Sequence, residues 1–422
     1  MRLKIISCNA ARIVSLAYSL FAGFLRSHGI GNTIYSIGYM TMLMTALKLP
    51  EVIDRQEEVR ELLESLSSRK KSVNYALIGP RQIGKTTILR ELRKRLEEKG
   101  VVAVHLDFGV YRYAPIDFPE ALIKNLLNEY ASQSGTLEKV IARATGLFSG
   151  LKGMKHVRPV FEIGTDQPPS VMVRLERVES NPREGLELAF RYADGLAKDS
   201  GRKVVVILDE FQHFVEFDSQ PKLRGALDVF RAAVDARGDV SYVVSGSRVH
   251  FLRDVLENGR SPLFGRFNIK EVGGLGERYA KELFMKASGA AEGDAGEAYG
   301  LVGGHPFYLL ALAENRKAGE RVAATYDRLL TSPTGALRMY ANYILAEDLG
   351  PGTGGARFVK VLRALGPGPL AVSAISKSTG IKLTNLPWYL GRLIEYDLIG
   401  KKDGEYSIED RVIRDYFAKA SA

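Results

Sequence analysis

The sequence is poor in cysteine, tryptophan and histidine. Its 422 residues include one cysteine (Cys8), one tryptophan and six histidines. A single cysteine excludes an intramolecular disulfide framework and any zinc or iron–sulfur site built from the cysteines of one chain. It also fits a reducing compartment, so we expect a cytoplasmic protein. With 45% hydrophobic and 26% charged residues, the composition predicts a folded chain, and the length predicts about three domains.

Acidic residues are absent from residues 1–50, which carry five units of the formal net charge of +10. The most apolar stretch there, residues 13–25, is shorter than the roughly 20 residues that a membrane helix needs. Three methionines (Met40, Met42 and Met44) precede the first regular helical pattern. We therefore interpret residues 1–48 as an extension without an assigned fold that arises from a misplaced start. A membrane anchor is expected only if residues 1–47 are made.

Beyond residue 50, short apolar runs alternate with amphipathic helical patterns. Five runs predict strands, at 75–78, 101–107, 204–208, 240–245 and near 267–269. Strands that alternate with helices predict an α/β fold with a parallel sheet. Two further runs, at 157–163 and 171–175, predict a hairpin inserted into this pattern.

A glycine-rich run joins the first predicted strand to the next helix. Residues 79–86 fit the pattern G-x-x-x-x-G-K-[ST] in full, which is the phosphate-binding loop of P-loop proteins. In such a loop, backbone N–H groups and the helix N-terminus bind phosphate, Lys85 reaches the β- and γ-phosphates, and Thr86 ligates Mg²⁺. The predicted nucleotide-binding residues of this run are Gly79, Pro80, Arg81, Gln82, Ile83, Gly84, Lys85, Thr86 and Thr87.

Two acidic residues follow the most apolar predicted strand, at 204–208. We predict that Asp209 holds the water shell of Mg²⁺ and that Glu210 polarises a water for in-line attack on the γ-phosphate. An adjacent glutamate of this kind favours hydrolysis over transfer to a second substrate. A P-loop kinase is the alternative enzyme, and it usually lacks such a glutamate.

Polar residues near the next two strands complete the predicted catalytic set, which is Lys85, Asp209, Glu210, Ser245 and Arg266. Ser245, Gly246 and Ser247 end a strand, where a hydroxyl could bind the attacking water or the γ-phosphate. Short polar residues are also ordinary turn formers at this position. Arg266 and Arg248 are candidates for a γ-phosphate contact, and a structural role is the alternative for both.

The rest of the chain predicts two further domains. Residues 273–349 show only helical patterns, and 350–355 form a glycine-rich linker. Residues 355–422 show three helices followed by a hairpin with an Asp403-Gly404 turn, which is typical of a winged helix. We thus predict a P-loop domain at 49–272, a helical lid at 273–349 and a winged helix at 355–422.

From residue 50 to its end, the chain resembles the archaeal ATPases of the STAND class within the AAA+ superfamily. Beside the P-loop, the matching blocks are Ile53-Asp54-Arg55-Gln56-Glu57-Glu58, Ile207-Leu208-Asp209-Glu210, Pro262-Leu263-Phe264-Gly265-Arg266, Gly303-Gly304-His305-Pro306-Phe307-Tyr308-Leu309 and residues 406–414. The resemblance implies a P-loop NTPase fold of the AAA+ type, with a helical lid and a C-terminal winged helix.

The resemblance also implies roles for residues outside the P-loop. Asp54 and Arg55 match the segment that lines the adenine pocket, which favours ATP as the nucleotide. His305 and Pro306 match the lid motif that reports whether nucleotide is bound, although a proline at the first position of a helix is also justified by local chemistry. Arg266 falls in the family's Gly-Arg block, which favours a nucleotide-linked role.

Two interpretations of the whole chain remain open. In the first, ATP and ADP operate a switch in which the winged helix is packed or released, and we expect a protein partner of unidentified kind. In the second, an AAA+ protein of the origin-recognition or regulator type binds DNA through its winged helix. The predicted third helix of that module has Arg392 as its only basic residue, while residues 355–422 contain 11 basic and 7 acidic residues. The sequence does not indicate an oligomeric state.

Overall fold

The computed structural model describes residues 54–68, 72–151, 153–165, 167–236, 238–349 and 353–420. The expectations for the extension at 1–48, for Cys8, for Ile53 and for a membrane anchor lie outside these residues. The chain divides into two compact units. The first comprises Arg55–Gly273, and the second contains Asp54 and the chain from Gly274 onward.

The first unit alternates strands and helices. Its strands are β1 (Tyr75–Ile78), β2 (Val102–Asp107), β3 (Arg158–Ile163), β4 (Val171–Glu176), β5 (Val204–Asp209), β6 (Val240–Gly246) and β7 (Asn268–Glu271). Its α-helices are α1 (Gln56–Ser67), α2 (Lys85–Glu98), α3 (Phe108–Tyr111), α4 (Asp117–Ser134), α5 (Leu137–Gly150), α6 (Pro182–Ser200), α7 (Gln212–Phe217), α8 (Ala226–Asp235) and α9 (Val249–Glu257), and a 3₁₀ turn spans Pro221–Leu223.

Five of these strands form a parallel sheet in the order β2-β5-β6-β1-β7. Every residue of β5 and β6 is buried, as expected for strands covered on both faces. The parallel sheet and the five predicted strands are therefore confirmed. The predicted hairpin is also present, because β3 and β4 pair in antiparallel fashion.

The two faces of the sheet have different cores. On one face, aromatic side chains pack against each other around Phe214, whose ring lies 5.3 Å from that of Phe211 and 5.5 Å from that of Phe230. On the other face, α1 and α2 contribute a smaller aliphatic cluster that includes Val59 and Ile88. Helices on both faces fix β5, so the residues that follow it emerge at a defined point on the edge where the strands end. We call this edge the carboxyl edge.

The second unit is mainly helical. It begins with α10 (Glu277–Ser288), α11 (Glu292–Val302), α12 (Pro306–Asn315), α13 (Val322–Thr331) and α14 (Ala336–Leu349). The chain then forms α15 (Thr353–Leu365), β8 (Leu370–Ala371), α16 (Val372–Thr379), α17 (Leu386–Glu395), β9 (Ile399–Lys402), β10 (Glu405–Ile408) and α18 (Arg411–Ala420). None of the helices in the described part of the chain combines the length and the apolar character needed to span a membrane.

The last three strands form an antiparallel sheet in the order β8-β10-β9. Asp403 and Gly404 connect β9 to β10 with φ of 51° and 87°, the left-handed backbone that a two-residue hairpin turn requires. Together with the preceding helices, this is the element order that a winged helix requires. The separation of the second unit into a lid and a winged helix stays a prediction.

Tyrosine hydroxyls on α12 and α13 form hydrogen bonds to the last helix, α18, and to the residue just before it. The Tyr308 hydroxyl donates to Asp410 Oδ2 at 2.6 Å, and the Tyr326 hydroxyl donates to Asp415 Oδ2 at 2.8 Å. Burial and the neighbouring carboxylate raise the pKa of Tyr308 well above its ordinary value, so its hydroxyl remains a donor. These bonds hold the C-terminal segment on the α12–α13 helices.

We expect Tyr308→Phe to lower the free energy of unfolding of the second unit by about 1.5–3 kcal/mol, because it removes a buried hydrogen bond to a charged group. Urea unfolding followed by the fluorescence of Trp388, the single tryptophan, measures this change. Tyr299→Phe is the matched control, since no hydrogen bond joins the Tyr299 hydroxyl to the described residues. Equal stability of the Tyr308→Phe variant and the wild type would contradict the prediction.

Candidate functional site

The predicted phosphate loop follows β1 at the carboxyl edge. Its backbone is shaped by two residues in the left-handed region, Gln82 (φ 57°) and Gly84 (φ 104°). Gly79 is required for a different reason, because a Cβ atom at this position would lie 2.3 Å from the carbonyl oxygen of Val272. Helix α2 begins at Lys85, so the first N–H groups of this helix have no partner within it and lie where an anion can accept from them.

Lys85 is buried, with 5% of its surface exposed. Its Nζ donates to the carbonyl oxygens of Gly79 and Pro80, each at 2.8 Å. These bonds hold the ammonium group over the loop that the sequence predicts to bind phosphate. Ile83 is buried and anchors the middle of the loop, while Arg81 and Thr87 are half-buried.

Asp209, at the end of β5, accepts side-chain hydrogen bonds from two other segments of the unit and lies close to a histidine of a third. Thr86 Oγ1 donates to its Oδ2 at 2.7 Å, and Ser245 Oγ donates to its Oδ1. His105 Nε2 lies 3.5 Å from Oδ2. The structure therefore brings together Thr86, Asp209 and Ser245, three residues that the sequence assigned to the site separately.

The Asp209 carboxylate is 1% exposed. Burial alone would raise its pKa, but the nearby His105 ring and the hydrogen bonds from Ser245 and Thr86 outweigh burial and lower the pKa to about 2. A carboxylate with a lowered pKa stabilises the folded state above its unfolded pKa of about 4, and this contribution is lost as the pH falls toward 2. Asp209 is thus negatively charged throughout the physiological range.

A hydroxyl and a carboxylate within hydrogen-bond distance are the oxygen ligands that Mg²⁺ prefers. Thr86 and Asp209 fit this requirement, and their charge and position agree with the predicted metal role. Thr86 Oγ1 and Asp209 Oδ2 are hydrogen-bonded to each other. A cation bound by both oxygens would therefore displace the hydroxyl proton that lies between them.

Glu210 lies beside this cluster with a left-handed backbone, φ 51°. Its Oε2 accepts from Ser247 Oγ at 3.0 Å and from Gln212 Nε2. Gln212 Nε2 also lies 3.4 Å from Ser247 Oγ. The side chain is half-buried and is held at the carboxyl edge next to Asp209.

A second polar cluster lies further along the same edge and centres on Glu216. Arg248 Nη1 bonds Glu216 Oε1 at 3.0 Å, and His213 Nδ1 bonds Glu216 Oε2 at 3.1 Å. Burial would raise the pKa of Glu216, but His213, Arg248 and Arg112 together lower it. Of the two arginines considered as γ-phosphate contacts, Arg248 is the one that follows a strand at the carboxyl edge.

Arg266 does not join the cluster within this chain. It precedes β7, whose Asn268 pairs with Tyr75 at the start of β1, so Arg266 lies at the sheet edge opposite the phosphate loop. Its guanidinium binds Asp235 through two contacts of 2.7 and 2.9 Å. Within the described residues Arg266 thus forms an ion pair, the alternative given for it above, and a nucleotide-linked role for Arg266 stays a prediction.

The other four residues predicted to bind nucleotide make contacts within their own units. Arg55 is 8% exposed and bonds Glu58 at 3.1 Å and the carbonyl oxygen of Gly273. Asp54, in the second unit, accepts from the N–H of Gly276 at 3.0 Å.

His305 and Pro306 lie at the start of α12, where the His305 ring stacks on that of Tyr308 at 4.0 Å. Nucleotide contacts for Asp54, Arg55, His305 and Pro306 stay predictions.

Sequence reasoning missed His105 and Gln212. His105 lies within β2, where no local pattern distinguishes it from its neighbours. Gln212 follows Glu210 by two residues, and the tight turn that places it against Glu210 becomes visible only with the left-handed backbone of Glu210.

Comparison with known proteins supports this description. The sequence profile of a family described as an ATPase domain predominantly from Archaea matches residues 52–312. An uncharacterized protein of Methanocaldococcus jannaschii is 25% identical in an alignment of 231 residues that covers 50% of this chain and 48% of that protein. This chain thus spans about half the length of that relative. An uncharacterized ATP-binding protein of Pyrococcus abyssi is 27% identical over 265 residues, which are 63% of this chain and 70% of that protein.

A solved structure has the same fold. The Walker-type ATPase of Pyrococcus abyssi superposes with a TM-score of 0.61 at 22% identity, over 88% of this chain and 99% of that chain. The strand order and the loop after β1 define a P-loop NTPase. Because the family profile covers more than half of the chain, the protein belongs to the archaeal ATPase family that this profile describes. The predicted family of archaeal ATPases and the predicted fold class are confirmed.

We expect Arg266→Ala to leave the ATP affinity of the chain within about twofold of wild type and to cost at most about 1 kcal/mol of stability, because the Arg266–Asp235 pair is partly exposed. ATP titration and urea unfolding of the same sample measure both quantities. Lys85→Met is the control that should lose ATP binding. A tenfold loss of affinity in Arg266→Ala at unchanged stability would show that Arg266 reaches the nucleotide.

Proposed function

We propose that this protein is a Mg²⁺-dependent ATPase that hydrolyses ATP to ADP and phosphate. The observation that carries the proposal is the convergence of Thr86 and Ser245 on the buried Asp209 carboxylate, with the half-buried Glu210 beside it. These groups meet at the carboxyl edge, next to the phosphate loop. The family assignment supports ATP as the nucleotide.

Each side chain has a separate task in the proposed reaction. Lys85 and the N-terminus of α2 attract the β- and γ-phosphates. Thr86 and Asp209 would hold Mg²⁺, which would supply positive charge beside the phosphate oxygens. Glu210 accepts a proton from the attacking water as the new phosphorus–oxygen bond forms. The bond from the γ-phosphorus to the bridging oxygen breaks, and its electron pair leaves with ADP.

A glutamate next to the aspartate proposed to bind Mg²⁺ also distinguishes an enzyme that hydrolyses ATP from one that transfers the phosphoryl group to a second substrate. A kinase has to place a second substrate where the attacking water would stand. Here Glu210 accepts hydrogen bonds from Ser247 and Gln212, which supports its assignment as a base for water. We therefore favour the ATPase over the P-loop kinase.

We further propose that the nucleotide state controls the C-terminal module. The His305 ring stacks on Tyr308, and the Tyr308 hydroxyl bonds Asp410 at the start of α18. Movement of the predicted lid motif would therefore reach α18 through two contacts. A protein partner that recognises the released module is part of this proposal.

DNA binding is the second candidate function, and one observation favours it. Lys401 and Lys402, at the end of β9, are exposed on the hairpin. Arg392 on α17 is paired with Glu395 at 2.6 Å, which argues against a role for this arginine in recognising particular DNA bases. We thus expect any DNA affinity to depend on salt rather than on sequence. Charge reversal of both lysines should abolish such affinity.

The central test is phosphate release by the full chain with ATP and Mg²⁺, comparing wild type with Glu210→Gln. We expect turnover to fall by about 10²–10⁴-fold, the usual contribution of a general base, while ATP remains bound. The exposed Glu257, which pairs with Arg253, provides the matched control Glu257→Gln. Unchanged turnover in Glu210→Gln would refute the role of Glu210.

Absence of turnover in both proteins, with nucleotide retained, would point to a closed state that needs a partner. In that case the comparison is repeated with candidate partners added to both proteins.

The switch has its own test in the fluorescence of Trp388, which is 60% exposed. We expect its emission to differ between the ATP-bound and ADP-bound wild type, because the module that carries it changes its packing. Tyr308→Phe should reduce that difference without lowering ATP affinity. Identical spectra with saturating ATP and ADP would contradict the proposed switch.

A further inference from the structure

We propose that Gln212 and Ser247 are positioning residues that fix one oxygen of the Glu210 carboxylate and leave the other to orient the attacking water. This inference rests on the proposed function, because it assigns Glu210 as the base. It adds two residues whose side chains act on Glu210 and do not themselves touch the reacting atoms.

The two carboxylate oxygens of Glu210 differ in their surroundings. Oε2 accepts from Ser247 Oγ at 3.0 Å and from Gln212 Nε2. Oε1 has no hydrogen bond to any residue that the structure describes. A base that takes a proton from water needs one oxygen with an accessible lone pair. The observed asymmetry provides that oxygen and defines the direction in which it points.

Both donors are themselves firmly held. Gln212 is 1% exposed and Ser247 is 6% exposed. A Cβ atom at Gly246 would lie 2.3 Å from Gln212 Oε1, so the glutamine amide fits against bare backbone of β6. Gln212 Oε1 has no hydrogen-bond partner among the described residues. Among the described residues, the hydrogen bonds of the Gln212 amide therefore come from its nitrogen and none from its oxygen.

The backbone explains why positioning is needed. Glu210 adopts φ 51°, a conformation that glutamate rarely takes and that separates its side chain from the direction of β5. The Glu210 side chain is half-buried, so packing does not enclose it completely. Reaction rates depend steeply on the alignment of reacting groups, so two donors on one oxygen convert a rotatable carboxylate into an aligned one.

The test compares Ser247→Ala and Gln212→Leu with wild type in single-turnover ATP hydrolysis and in ATP titration. We expect each variant to lose about tenfold in the rate of the chemical step, a fraction of the general-base contribution, with ATP affinity within about twofold. Ser247→Thr keeps the hydroxyl and should restore most of the rate. Ser241→Ala removes another buried hydroxyl from the same strand, one that accepts from the Val73 N–H, and should keep the wild-type rate.

A double-mutant cycle that combines Ser247→Ala with Glu210→Gln distinguishes a positioning role of Ser247 from a general structural role. Once the base is absent, Ser247→Ala should cause no further loss in the residual rate. A further tenfold loss in that background, or wild-type rates in both single variants, would overturn the inference while leaving the ATPase proposal intact. Wild-type turnover of Glu210→Gln itself would overturn both. If Gln212→Leu does not fold, Gln212→Met, which has a similar length and removes the donor without adding a charge, takes its place.

Discussion

A buried negative charge is the constraint on which the site depends. Asp209 is almost inaccessible to solvent, and a carboxylate in such surroundings is stable only with hydrogen-bond donors around it. The chain supplies donors from three places: Thr86 at the start of α2, Ser245 at the end of β6 and the backbone N–H of Glu210. The need to satisfy one carboxylate therefore fixes the phosphate loop, the two central strands and the proposed base relative to each other.

The same constraint explains how much of the site could be predicted. The phosphate loop and Asp209 are recognisable because their chemistry requires particular residues at particular spacings. The parallel sheet followed from the alternation of strands and helices, and the Asp403-Gly404 turn followed from local backbone preference. In each case the information is local to a few residues.

The remaining features depend on contacts between distant segments. Gln212 and His105 became visible as parts of the site only once neighbouring strands were placed side by side. Arg266 illustrates a different case. In a parallel sheet, residues before a strand and residues after it lie at opposite edges, and Arg266 comes before β7. Its position follows from the strand order, whereas its nucleotide-linked role is implied only by the resemblance of its block and stays a prediction.

The contacts of Lys85 have a consequence for which ligands the loop can retain. Its ammonium group already has two carbonyl partners, from Gly79 and Pro80. A phosphate that enters the loop therefore takes part in an exchange and gains only the difference between new and old bonds. A ligand with one charged oxygen gains little from that exchange. A polyphosphate, which offers several charged oxygens to Lys85 and to the α2 N-terminus together, would gain more, so we expect the loop to discriminate by charge density before any contact with a base or sugar is made.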